Sequence, residues 1–82
     1  MNTLEEIQQI FNEQPYIEEA EKENYSKEMI EDDMDQFFSE FNYDNTLVKF
    51  CWDEKESGTL NVYGKADDGS WKSIKIVFQH LQ

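Results

Sequence analysis

Glu28, Glu31, Asp32 and Asp35 recur at three- and four-residue intervals. On a helix that spacing sets neighbouring carboxylates about 5–6 Å apart, comparable to the separation of successive phosphates along a nucleic-acid strand. The chemistry open to such a row is ionic: ionised carboxylates accept charge-assisted hydrogen bonds from Lys and Arg. Glu18, Glu19 and Glu21 form a second acidic run just upstream. A row of this kind can fill the Lys/Arg groove of a nucleic-acid enzyme and compete with its substrate as a decoy. The plainer alternative is a solvated face, which is what most charged arcs are. Against it stands the scarcity of interleaved Lys, because ordinary helix surfaces mix the two signs and gain from doing so.

No other set of residues forms a reactive constellation. His80 is the single histidine and Cys51 the single cysteine. His80 falls on the alternation of Ile74, Ile76 and Phe78 and reads as an exposed or half-buried strand-end residue. Cys51 has no Cys-x-x-Cys partner and reads as a buried or half-buried thiol. A Ser-His-Asp triad would have to use that lone histidine, and no nucleophile elbow accompanies it. Thiolate and histidine zinc sites need more ligands than the chain has. Three glycines supply no phosphate loop. The acidic stretch at 31–35 lacks the sharp-turn Gly of a calcium loop and runs into Phe37 and Phe38, while Asp67-Asp68-Gly69 is a turn sequence. The expectation is a protein that is not an enzyme, with no catalytic residue, no metal and no cofactor.

Charge is distributed unevenly along the chain. Residues 1–44 carry fourteen Asp and Glu against two Lys, and residues 45–82 carry five against five, so the whole net charge of −12 resides in the first half. A one-signed region creates a field that attracts basic surfaces and repels anionic ones. The seven Lys, with no Arg, cannot replace the counterions of a phosphate backbone, so direct nucleic-acid binding and adhesion to an anionic membrane are both disfavoured. The N-terminal residues lack the basic and apolar regions of a signal peptide, and no run approaches the roughly 18 apolar residues of a span. With one cysteine and hence no internal disulfide, a reducing compartment, the cytoplasm, is expected.

Positioning the carboxylates requires helices, and the hydrophobic pattern supplies them. Thr3 and Glu6 form a capping box ahead of Leu4, Ile7, Ile10 and Phe11, and Pro15 ends that helix near 12–14. Residues 15–24 read as a short second helix that buries Tyr16, Ile17 and Ala20. Ser26 caps a third over 27–41, in which Ile30, Met34, Phe37, Phe38 and Phe41 make one apolar stripe. Glu28, Asp32, Asp35 and Ser39 lie opposite that stripe, Glu31 beside them, and Asp33 with Glu40 along the other edge. The like-charged pair Glu28 and Asp32 costs the helix about 0.2–0.5 kcal/mol. Residues 42–45 make a polar break.

Beyond that break the period changes from 3.6 to 2. Three strands are expected over 47–53, 59–65 and 71–79, joined by turns at Ser57-Gly58 and Asp68-Gly69. The fold class is therefore α+β: N-terminal helices packed on a C-terminal three-stranded antiparallel β-meander, a single domain over 1–82. Phe37, Phe41, Phe50, Val62 and Ile76 should share its core, and Trp52 follows the same inward parity. Cys51, Tyr63, Trp71 and Val77 have the opposite parity. They form an open-face patch if the sheet is covered on one side only, unless the termini or the segment around Pro15 cap them.

The function these features point to is a non-enzymatic protein inhibitor that presents an acidic half to a basic, nucleic-acid-binding surface. In size and acidity the chain resembles phage-borne nucleic-acid mimics, such as inhibitors of restriction, of CRISPR effectors or of uracil-DNA glycosylase, with no shared motif. The expected partner-binding residues are Glu18, Glu19, Glu21, Glu28, Glu31, Asp32, Asp35, Tyr43 and Trp71. Two alternatives use the same sequence: a cognate immunity protein that neutralises a nuclease toxin, where Tyr43 and Trp71 would act as aromatic hot spots, and a small regulatory or assembly subunit.

Overall fold

A computed structural model describes residues 3–39 and 48–82. Three helices, α1 (Leu4–Glu13), α2 (Tyr16–Lys22) and α3 (Lys27–Ser39), precede three strands, β1 (Lys49–Trp52), β2 (Thr59–Lys65) and β3 (Trp71–Val77), and a terminal 3-10 turn at Gln79–Leu81. The sheet is antiparallel in the order β1-β2-β3. This is the expected α+β arrangement.

The helix starts follow local chemistry. Thr3 Oγ1 accepts from the Glu6 amide at 3.4 Å, and Ser26 Oγ from the Met29 amide at 3.2 Å, so each hydroxyl satisfies an amide that has no partner inside the helix. Between α2 and α3 the chain reverses through Asn24, whose φ is +56°. The Tyr25 amide donates to Ala20 O at 2.9 Å and the Asn24 amide to Glu21 O at 3.3 Å. That is the Schellman closure, in which the left-handed residue is ordinarily Gly and occasionally Asn. It turns Tyr25 back toward α2.

Leu4, Ile7 and Phe11 of α1, Ala20 of α2, and Ile30, Met34 and Phe38 of α3 are buried against Leu60, Val62, Ile76 and Phe78. Leu60, Val62 and Ile76 thus face the helices, while Cys51, Tyr63, Lys65, Lys75 and Val77 face away, as the pleat requires; Thr59, at the start of β2, is buried although odd-numbered. Phe37 and Phe50 are half-buried and pack on this core, while Phe41 lies outside the described residues. Trp52 is half-buried too, with its ring 6.0 Å from that of Phe78.

Two strands are shorter than their alternation implies. β3 stops at Val77 because the Phe78 amide donates to Gly58 O at 2.8 Å and the chain then tightens into the 3-10 turn. That turn therefore carries His80. β1 ends at Trp52 because Asp53 becomes a turn cap: its Oδ1 accepts from the Lys55 and Glu56 amides, each at 2.8 Å. Of the third helix expected over 27–41, residues 27–39 are helical and the rest lie outside the described residues, as do the polar break at 42–45 and Tyr43.

Candidate functional site

The acidic surface is built on α2 and α3. Burial of Ile30, Met34 and Phe38 at four-residue steps fixes the rotation of α3 and turns Glu28, Asp32 and Asp35 to solvent, where all three are exposed. Glu31 is half-buried beside them. On α2, Ala20 points inward, so Glu18 and Glu19 are exposed and Glu21 is half-buried. A carboxylate oxygen of Glu21 accepts from the Gln79 amide, which ties α2 to the C-terminal turn. That leaves its second oxygen for an outside donor.

One acidic residue of α3 is bound inside the molecule. Tyr16 donates its hydroxyl proton to Asp33 Oδ2 at 2.6 Å. Burial, then this bond and the charge of Asp33, push the Tyr16 phenol far above its ordinary range. The Tyr25 phenol is raised as well, first by burial and then by Glu19, Asp33 and Glu23. Both tyrosines therefore sit in negative potential as neutral donors.

The opposite side of the molecule differs in kind. Register brings Lys49 opposite Tyr63, Lys65 opposite Trp71 and Lys75 opposite Asn61, so three lysines and two aromatic rings share the face turned away from the helices. Trp71 is 56% exposed, Tyr63 40% and Val77 39%. Cys51 is exposed on the same face, where its thiol donates to the Tyr63 hydroxyl at 3.9 Å. The buried or half-buried thiol expected from sequence is thus corrected: no layer covers Cys51. Nor do the chain ends or the Pro15 segment bury Trp71 and Tyr63. No acidic residue occupies an outward strand position among the described residues, although Glu56 of the β1–β2 turn pairs with Lys75 at 3.2 Å and Asp53 accepts from Asn61 at 2.9 Å.

No family model, curated protein or solved structure matches this chain. Its chemistry has to be read from these two faces.

His80 is half-buried, and its Nε2 donates to Tyr25 O at 2.9 Å. That contact anchors the C-terminal turn to the bend between α2 and α3. Among the described residues no group of three or more His, Cys, Asp or Glu is placed to hold a metal ion, and no helix is long and apolar enough to cross a membrane. Sequence reasoning missed Asp33 and Tyr25 as members of the acidic region. Asp33 was legible only as an edge position of α3, and the one available sign for Tyr25 was Asn24, whose taste for left-handed backbone marks a helix end.

Proposed function

We propose that this chain is a non-enzymatic, stoichiometric inhibitor whose acidic α2–α3 face occupies a basic, nucleic-acid-binding surface of a target enzyme. The observation that carries the reading is the exposed row Glu28, Asp32 and Asp35, set opposite a buried apolar stripe in the half that holds the entire net charge of −12. Such a face steers a basic partner during approach and repels nucleic acid itself. The cytoplasm, where Cys51 stays reduced, belongs to the same reading.

Capture from a lysate on the immobilised chain at low and high salt, followed by displacement of a fluorescent duplex from each captured enzyme, tests it. Capture should weaken as salt rises past about 0.15 M, where the Debye length is about 8 Å. Displacement should be competitive with nucleic acid. Reversing Glu28, Asp32 and Asp35 to Lys should slow association far more than reversing Glu54, Glu56 and Asp67 in the neutral half. Asp53 is left out of that control because its carboxylate holds the β1–β2 turn. Equal losses from the two triple variants, or capture indifferent to salt, would refute the proposal.

A second reading, cognate immunity to a nuclease toxin, is favoured by one observation, the 56% exposure of Trp71. Trp is among the residues enriched at interface hot spots. Under it, Trp71→Ala should abolish binding to one toxin, and unrelated basic nucleic-acid enzymes should go uninhibited.

A further inference from the structure

Between the three helices lies a cleft of about 450 Å³, walled by Phe11, Tyr16, Tyr25 and Phe37 and carrying the carboxylates of Glu19 and Asp33. The rings follow one another around it: Phe37 to Phe11 at 5.0 Å between centroids, Phe11 to Tyr16 at 6.5 Å, and Tyr16 to Tyr25 at 6.1 Å. Among the described residues no Lys or His lines the cleft, so its negative charge has no partner of opposite sign among them. We infer that this cleft is a receptor for a guanidinium group, and that its natural occupant is an arginine side chain of the basic partner.

Three physical points select that ligand. An aromatic ring attracts a cation to its face, and a site bounded by several rings also removes it from water, which strengthens the attraction. Asp33 spends one oxygen on Tyr16, but a carboxylate offers about four acceptor positions, so Asp33 and the exposed Glu19 can both accept N–H donors. A guanidinium is planar, stacks on rings and presents donors in a fork that matches a carboxylate, whereas an ammonium is a compact and strongly hydrated point charge. Apolar walls bearing unneutralised carboxylates thus suit guanidinium better than ammonium and exclude anions.

The identity of the arginine's owner rests on the function proposed above; guanidinium binding itself does not. The whole chain is titrated with methylguanidinium chloride, with methylammonium chloride and sodium chloride at matched ionic strength as references, and followed by amide and side-chain NMR. Methylguanidinium should give saturable shifts centred on Gln14, Tyr16, Tyr25 and Gln36, and it should bind more tightly than methylammonium. The pair Glu19→Gln with Asp33→Asn should weaken it by about tenfold or more, an amount the method resolves readily as a change of Kd. Glu19→Gln at an exposed position and Tyr25→Leu, which keeps an apolar side chain, serve as independent variants should the pair unfold. Each should weaken methylguanidinium alone. Shifts scattered over the acidic surface as with sodium chloride, equal affinity for methylammonium, or undiminished binding in the folded variants would overturn the assignment. If methylguanidinium fails to bind while the Glu28, Asp32 and Asp35 reversal still blocks a target, this inference falls and the inhibitor reading stands. If methylguanidinium binds and that reversal changes nothing, the inhibitor reading falls and the receptor stands.

Discussion

Tyr16 opens α2 and Asp33 lies in the middle of α3, and the 2.6 Å hydrogen bond between them joins the two helices across a separation of 17 residues. The ionised acceptor strengthens this bond, which stands at the wall of the aromatic cleft.

Removing it with Tyr16→Phe should destabilise the fold by about 1.5 kcal/mol, the lower end for a hydrogen bond to a charged group, since the pair is only part-buried. Urea denaturation should show a lowered midpoint with an unchanged slope. An unchanged midpoint would mean that the bond contributes nothing beyond ring packing.

Tyr16 and Tyr25 both have raised pKa values, through burial followed by nearby carboxylates. The native state therefore holds these protons more tightly than the unfolded chain does. Their contribution to stability is complete below the unfolded phenol pKa of about 10 and is lost as pH rises beyond it. Alkaline titration followed at 295 nm should show phenolate appearing together with loss of helical circular dichroism. Free titration of every tyrosine in a still-folded protein would contradict this.

Asp53 has the opposite shift. The side-chain bond from Asn61, at 2.9 Å, and the amides of Glu56 and Lys55 lower its carboxyl to about 2. Its contribution is present above the unfolded value of about 3.9 and disappears as pH falls from there toward 2. Carbon-detected NMR should find Asp53 titrating well below the ordinary Asp value of about 3.9. Asp53→Ala should flatten part of the acid limb of the stability curve.

Gly58 and Gly69 both have left-handed φ, +78° and +85°, but their surroundings differ. A Cβ on Gly58 would lie 2.5 Å from Phe78 O, and one on Gly69 would meet nothing within 4 Å. Gly69→Ala should cost about 1 kcal/mol, from backbone conformation alone. Gly58→Ala adds a clash with the C-terminal turn and should cost roughly 3 kcal/mol. Thermal melts of the two variants should separate accordingly, and equal losses would deny the close approach of the turn.

His80→Ala removes the donor to Tyr25 O. It should cost about 1 kcal/mol of stability and leave inhibition of a target intact once the protein is folded. Loss of inhibition in a demonstrably folded variant would assign His80 a direct role.

Local periodicity set the order of helices and strands and the faces they bury, though not where β1 and β3 end. The spacing of Ile30, Met34 and Phe38 dictated which side of α3 is acidic, and the parity of Cys51, Tyr63 and Trp71 dictated which strand positions point away from the helices. Such periodicities are properties of backbone geometry, so a short window of sequence suffices to read them. Tertiary structure decided what faces what. Asp67 donates its amide to Glu5 from 62 residues away, and Gln79 donates to Glu21 from 58. No local pattern encodes either contact, because each depends on how the helical layer is seated on the sheet. The same seating leaves one face of the sheet bare, so that Lys49, Lys65 and Lys75 gather beside Tyr63 and Trp71 in a half whose summed charge is zero. It also brings the rings of Phe11, Tyr16, Tyr25 and Phe37 to one cleft with Glu19 and Asp33. A charge count sums over sequence, whereas an electric field and a cleft depend on position in space, and only the packed chain fixes those positions.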